Sequence, residues 1–269
     1  MLKLQSIFKY LLEASLGKLP LLNNEKFRLR EVYSKLIVEA PIFVRVDGDG
    51  FHKLSSKCGF KKPFDDEFHD VMVKTALNVI KNSGFHISLA YTYSDEVSYL
   101  ILKDAHLPHS GRIEKIVSLL SAFTTSSFQR IISKAKSYNE TVAFDARIVK
   151  VYELDDIIEY LKWRASDCFR NFINSYAQSI IGKKQCIGLK ASQIINLLSE
   201  KGVNINEIPR WQKYGTTIFK QTILRKAFNR KTGKSVAVKR RKLTIKSLNL
   251  NSDEILEIRK ELENLLLEK

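Results

Sequence analysis

The order of elements legible in this chain, strand, helix, hairpin, helix, strand, predicts an α+β fold. The sheet is expected to be antiparallel or mixed, with helices on one face, followed by a helical and basic C-terminal extension. Three observations carry this expectation. An apolar, β-rich run, Ile42, Phe43, Val44 and Val46, stops abruptly at Asp47-Gly48-Asp49-Gly50. Two further β-rich runs, His86 to Tyr93 and Val97 to Lys103, are separated only by Ser94-Asp95-Glu96, which reads as a hairpin with acids at its bend. Long segments with helical apolar spacing lie between and after them.

Taken in order, Leu2 to Leu22 carries Leu4, Ile7, Phe8, Leu11 and Leu12 at helical spacing, and Lys26 to Val38 reads as a second helix. Pro41 opens the first strand, whose C-terminal end is a tight glycine turn and the expected place for a ligand. Phe64 to Asn82 is an amphipathic helix with Phe68, Met72, Ala76, Val79 and Ile80 on one stripe, stopped by Gly84. Asp65 and Asp66 precede it and could serve either its N-terminus or a site. After the hairpin, Gly111 to Lys134 reads as a helix, Val142 to Tyr152 as a strand and Leu154 to Ile181 as a helix. Beyond Lys190 come a short helix, a hairpin-like region from Lys220 to Leu243 and a terminal helix capped by Asn251 with Glu254. The terminal stripe Ile255, Ile258, Leu262, Leu265, Leu266 needs a partner, in its own chain or in a second copy.

At 269 residues and 44% apolar content the chain can bury a large core, which excludes a disordered protein. No stretch approaches the roughly 18 apolar residues of a membrane span, and Met1 to Leu22 lacks a signal peptide's apolar core and cleavage site. A cytoplasmic address with no membrane partner is expected. Cys58, Cys168 and Cys186 are odd in number and lack Cys-x-x-Cys spacing, so they read as reduced structural thiols. His106 and His109 flank Leu107-Pro108, but no third metal ligand accompanies them. The charge is lopsided. Lys201 to Lys246 holds 14 Lys or Arg against one acid, Glu207, while the remainder carries 31 bases and 28 acids. A nearly neutral body with one basic appendage suits a catalytic domain joined to a phosphate-tracking surface. A solubilising basic face is the plainer alternative.

The carboxylates carry the chemistry. A strand ending in Asp47, close to a hairpin tipped by Asp95 and Glu96, is how a palm-type nucleotidyltransferase holds two divalent cations against a triphosphate. Gly48 lacks a Cβ, so its backbone can approach a cation and offer a carbonyl oxygen. Asp-Gly alone is commonly just a turn. The joint occurrence of buried strand, helical return and acid-tipped hairpin is what points to a metal-dependent nucleotide-polymerising enzyme.

The run Arg45-Val46-Asp47-Gly48-Asp49-Gly50-Phe51-His52, with Gly59-Phe60-Lys61-Lys62-Pro63-Phe64-Asp65-Asp66 and Tyr93-Ser94-Asp95-Glu96-Val97-Ser98, resembles the histidine-tRNA guanylyltransferase family of 3′-to-5′ polymerases. The likeness continues through Arg112-Ile113-Glu114-Lys115-Ile116-Val117-Ser118, Ser126-Ser127-Phe128 and Phe144-Asp145-Ala146-Arg147 to Trp163-Arg164-Ala165-Ser166-Asp167-Cys168. The resemblance implies a polymerase-palm-like domain over 41–185, an N-terminal helical extension over 1–40 and a basic tRNA-binding region over 186–269. It also implies two Mg2+ ions held by Asp47, Asp95 and the Gly48 carbonyl, with Glu96 supporting the catalytic pair. Asp49, Gly50, Phe51, His52 and Ser94 would line the nucleotide pocket, and Lys62, Arg112 and Lys115 would meet triphosphates. ATP, GTP and other nucleoside triphosphates would be substrates, with ATP activating a 5′-monophosphate end. The macromolecular partner would be tRNA, at its 5′ end and acceptor stem, and the enzyme a homo-oligomer, dimer or tetramer.

Asp167-Cys168 leads into Phe169-Arg170-Asn171-Phe172-Ile173-Asn174-Ser175, where the eukaryotic enzymes have His-Ile-Asn-Asn-Leu-Tyr-Asn. This is the archaeal and bacterial-like pattern, which implies template-dependent addition and repair of 5′-truncated tRNAs beside or instead of guanylate addition. Arg164, Asp167, Arg170 and Asn171 share one side of a helix, a tRNA-contacting or structural face. Arg210, Lys213, Arg240, Arg241 and Lys242 are further candidates for tRNA contacts, and Trp211 and Tyr214 could stack on bases or pack in the core. A palm-fold nucleotide cyclase or oligonucleotide synthetase would use the same carboxylates without needing the basic appendage. A non-catalytic tRNA-binding protein would keep the appendage without needing the acids.

Overall fold

The computed structural model describes residues 24–102, 107–135, 141–229 and 233–267. The expected helix over Leu2 to Leu22, and His106, lie outside them. Six strands form one sheet: β1 (Ile42–Asp49), β2 (Ile87–Tyr93), β3 (Glu96–Ile101), β4 (Ala143–Lys150), β5 (Thr216–Asn229) and β6 (Lys234–Lys246). Their order is β4-β1-β3-β2-β5-β6 and every neighbouring pair is antiparallel. The α+β class and the acid-tipped hairpin are therefore observed.

Helices cover both faces of the sheet rather than one. Ile42, Val44 and Val46 of β1, with Val97, Tyr99 and Ile101 of β3, pack under helices α3 (Asp66–Asn82) and α4 (Ile113–Ala135). Phe43 and Leu100 project the other way, with Leu89, Tyr91 and Tyr93, onto α5 (Leu154–Ile180) and the terminal helix α8 (Ile255–Leu267). Covering on both sides explains why the strands read as unbroken apolar runs. Ile255, Ile258 and Leu262 are buried in this second layer, so the stripe that needed a partner finds it within the chain.

Several boundaries shift for tertiary reasons. Helix α1 is only Asn24–Arg28, because the chain after it must extend: Ile37 bridges to Arg112, and Val38 N–H donates to the Gly111 carbonyl at 2.9 Å. Asn251 does not cap α8, which begins four residues later, after a turn in which the Glu254 carboxylate accepts from Asn249 N–H at 2.9 Å. Asp65 does cap α3, accepting from Phe68 N–H at 2.9 Å. Three short helices complete the set: α2 (Phe51–Lys57), α6 (Ala191–Glu200) and α7 (Arg210–Tyr214). The helix expected beyond Lys190 is α6, whereas α2 and α7, of 7 and 5 residues, are under two turns long and carry no periodic signal.

The basic region joins the same sheet. β5 pairs with β2 only over Thr216 to Phe219, whereas β5 and β6 pair with each other over their whole length. From Lys220 onward the two strands form a ribbon of roughly 30 Å, at about 3.3 Å per residue. Its base is tied to α8 by Lys246 to Glu257 at 2.6 Å and by Thr222 N–H to the Glu261 carboxylate at 3.0 Å. Among the described residues no helix is long and apolar enough to cross a membrane.

Candidate active site

β1 delivers the site. Asp47 lies directly opposite Glu96 of β3 and, on its other side, opposite Asp145 of β4. Residues facing each other in an antiparallel pair project from one face, so these three carboxylates share the face covered by α5. Asp95 stands at the hairpin bend, its carbonyl accepting from Gly48 N–H at 3.2 Å and its carboxylate accepting from the Ser94 hydroxyl at 3.0 Å. Ser94 holds the left-handed conformation that the tight bend requires, with φ 49°.

The acids divide into paired and unpaired. Glu96 is 6% exposed and takes a fork from Arg164, Nε to Oε1 at 2.9 Å and Nη2 to Oε2 at 2.7 Å, with Tyr93 at its edge. Burial pushes the Glu96 carboxyl up against the pull of Arg164, while Glu96 holds the Arg164 guanidinium protonated despite its own burial. Asp145 is bound by Arg147 at 2.8 and 3.0 Å. Asp167 ties together Arg164, at 2.6 Å, and Arg170. Among the described residues, only Asp47 and Asp95 of this group have no ion-pair partner. Burial first, and then the Asp145 charge, raises the Asp47 carboxyl; burial first, and then Asp47, raises Asp95.

This donor set fits magnesium. Among the described residues no three His, Cys, Asp or Glu side chains could hold a metal by themselves. Magnesium asks for less, since it binds through one or two carboxylates and fills its octahedron with water and substrate phosphate. Two mutually repelling carboxylates with no cation of their own are suited to receive one.

Gly48 is required by packing as well. A Cβ there would lie 2.4 to 2.6 Å from the Phe51 ring, which is 3% exposed and wedged against Phe128 and Phe144. Gly48→Ala is expected to cost about 1–3 kcal/mol through overpacking, read as a lower denaturation midpoint in urea. An unchanged midpoint would show that the Phe51 ring yields freely. Gly50, with φ 69°, turns the chain from β1 into α2 where a side chain would be strained.

Beside the carboxylates opens a cavity of about 490 Å³ between the loop before α3 and helices α5 and α7. That volume is in the range of small-molecule sites. His52, Lys62 and Ser94 line it, joined by Asn171 of α5. Other expectations are not met within one chain. The Phe51 side chain is core rather than pocket wall. Arg112 just precedes α4 and bridges to Ile37, Lys115 lies in the first turn of α4, and Ile113 between them lines a second cavity with Ile37, Ile148 and Lys150, the last two of which pair with the N-terminal half of β1. Arg112 and Lys115 are thus at the other end of the strand from Asp47 and under the opposite face, and this fold does not bring them to the cavity.

Two residues expected at a tRNA surface belong to the interior. Arg164, 4% exposed, is held by Glu96 and Asp167, and Lys213, 5% exposed, donates its Nζ to the Ile205 carbonyl at 2.9 Å. Arg210 is tied to Glu254 and donates to the Ser247 carbonyl at 2.9 Å. Arg170, Asn171, Arg240, Arg241 and Lys242 are exposed. Sequence reasoning missed the ion pairs of Glu96 with Arg164 and of Asp145 with Arg147, and the Trp211–His69 stack, whose centroids are 4.2 Å apart. His69 is lowered to about 4 by burial, so it is neutral at physiological pH.

Two free carboxylates next to a cavity of nucleotide size are the equipment of a nucleotidyltransferase, and the relatives of this chain share that class. The tRNAHis guanylyltransferase family model matches residues 24–152. The tRNA(His) guanylyltransferase of Saccharomyces cerevisiae is 31% identical over 214 residues, covering 72% of this chain and 90% of that protein. An uncharacterised protein of Acanthamoeba polyphaga mimivirus is 32% identical over 209 residues, covering 67% of this chain and 70% of its own. In fold, the chain is similar to a bacterial tRNA(His) guanylyltransferase-like protein solved in complex with ATP, with TM-score 0.71 and 25% identity over 88% of this chain and 98% of that one. The chain belongs to the tRNA(His) guanylyltransferase family, and it is a nucleotidyltransferase of tRNA processing.

Proposed function

We propose that the chain adds nucleotides in the 3′-to-5′ direction to the 5′ end of tRNA, with Asp47 and Asp95 holding two magnesium ions. The observation that carries this is the unpaired, mutually repelling carboxylate pair, Asp95 of which is hydrogen-bonded by the cavity-lining Ser94. Bound there, the ions would neutralise the triphosphate and activate the attacking oxygen. Lys62 and His52 line the cavity and would hold phosphate, and Ser94 fixes the Asp95 carboxylate through its hydroxyl. Glu96 does its work from behind, as the buried anchor that Arg164 pins against α5. For a 5′-monophosphate end, a phosphate oxygen attacks the α-phosphorus of ATP and pyrophosphate leaves. The 3′-hydroxyl of the incoming nucleotide then attacks the 5′-phosphorus, AMP leaves, and the hydroxyl proton passes to solvent. A 5′-triphosphate end would react directly, with pyrophosphate as leaving group.

The α5 sequence after Cys168 supports the repair reading over obligatory guanylate addition. The test compares histidine tRNA lacking its extra guanylate with tRNAs truncated at the 5′ end. Faster, template-complementary addition to the truncated tRNAs is expected. Guanylate addition confined to histidine tRNA would reverse the assignment.

The exposed ribbon is proposed as the tRNA grip. Arg240→Ala with Lys242→Ala should weaken tRNA binding and reduce the slope of log affinity against log salt by about 2, one phosphate contact each. A slope identical to wild type would remove the ribbon from the interface.

A further inference from the structure

The cavity lies to one side of the carboxylates. Its walls come from the end of β2, from α2, from the loop before α3 and from α3, α5 and α7, and no residue of β4 lines it. Nucleotide addition joins two substrates, and in-line transfer sets the attacking and leaving groups on opposite sides of the phosphorus. A second subsite is therefore expected across Asp47 from the cavity, on the β4 side. Since the strands run β4-β1-β3-β2, that side is an open edge of the sheet.

The cation that stands there is Arg147. It pairs with Arg45 of β1 and lies two residues beyond Asp145, which faces Asp47. Alternation along β4 sends Asp145 and Arg147 to one face, the face of the carboxylates. The Arg45 side chain is only 15% exposed and is committed inward, toward Glu96 at 3.9 Å and over the Trp163 ring at 5.7 Å. The Arg147 side chain is 49% exposed. Both of its hydrogen bonds to Asp145 leave from Nη2, so among the described residues Nε and Nη1 have no acceptor. Asp145 is itself 58% exposed, and an ion pair this open yields readily to a more highly charged phosphate.

We propose that Arg147 binds the 5′-phosphate of the RNA end, on the opposite side of Asp47 from the nucleotide cavity. Asp145 is its positioning residue, holding the guanidinium at the site until the phosphate arrives. The inference rests on the reading of the chain as an enzyme acting on the 5′ end of tRNA, and adds where that end is held.

The test is equilibrium binding of one tRNA, made with either a 5′-monophosphate or a 5′-hydroxyl, to the full chain in magnesium. Wild type, Arg147→Gln and the double variant Asp145→Asn with Arg147→Gln are compared, and each is also titrated with GTP. Wild type should prefer the phosphorylated end, and Arg147→Gln should cut that preference about tenfold, the worth of one charge-assisted contact. GTP affinity should hold within about twofold. The double variant has the net charge of wild type, so it should lose the preference as well, and it decides alone if Arg147→Gln does not fold. A preference that survives Arg147→Gln, or that returns in the double variant, would overturn the proposal. So would a loss confined to GTP, which would assign the guanidinium to the nucleotide. Wild type that extends the tRNA without preferring its phosphate would overturn this inference and leave the functional reading standing. Wild type that extends no tRNA, even one with a 5′-triphosphate, would overturn the functional reading itself.

Discussion

Asp47→Ala and Asp95→Ala are each expected to lower the rate of nucleotide addition by about a thousandfold or more, while tRNA affinity stays within about twofold. The reason for the first effect is that these are the acids with nothing else to do: Glu96, Asp145 and Asp167 are each neutralised by an arginine. The reason for the second is distance along the fold, since the exposed cations of β6 lie on the far side of β3 and β2 from β1. Rates under single turnover and tRNA binding by filter retention read the two separately. Equal loss of both would undo the division of labour.

The same pair predicts a stability change of opposite sign. Both carboxyls are raised in the folded state, chiefly by burial. A raised carboxyl stabilises the fold when protonated; that contribution is complete below the ordinary carboxylate range and is lost as pH rises through the raised value. At neutral pH the pair therefore opposes folding of the metal-free protein. Asp95→Asn should raise the melting temperature by a few degrees at pH 7, with the gain shrinking as the pH is lowered. Magnesium should stabilise wild type and have little effect on the variant. A variant less stable than wild type at pH 7 would contradict this.

Arg164→Ala carries the largest expected effect on folding. Its guanidinium is the principal partner of a buried carboxylate, with Arg45 remaining only at 3.9 Å. Removing it leaves Glu96 uncompensated between the sheet and α5, which costs about 3–5 kcal/mol. Arg170→Ala, six residues along the same helix and largely exposed, should cost less than about 1 kcal/mol. Chemical denaturation of the two variants gives the comparison. Similar losses would mean that Glu96 is relieved in another way, by taking up a proton or water.

The strand that carries Asp47 and the hairpin that carries Asp95 were legible because short-range rules govern them: a buried run, a glycine turn and three polar residues between two β-rich runs. The hairpin fixes only the β2–β3 pairing; that β1 lies beside β3, setting Asp47 opposite Glu96, is a long-range contact, and so is Asp145, which comes from a strand nearly fifty residues further on, where no local pattern announces that β4 sits beside β1. The partner of Glu96 was hidden likewise, since a helical Arg164 looks the same in sequence whether it faces water or a carboxylate. Lys213 shows the same limit from the other side: its charge suggested a surface, and its carbonyl contacts place it inside. Helix α1 fails as a long helix because Ile37 pairs across to Arg112, a constraint invisible to helical periodicity.

The most direct measurement is single-nucleotide addition to a 5′-triphosphorylated tRNA lacking its first residue, with magnesium, each nucleoside triphosphate in turn, and Asp95→Ala alongside. The carboxylate-pair account predicts incorporation of the template-complementary nucleotide by wild type, no detectable product with Asp95→Ala, and pyrophosphate released one for one. Product from Asp95→Ala at the wild-type rate, or no product from wild type that still binds the tRNA, would contradict it.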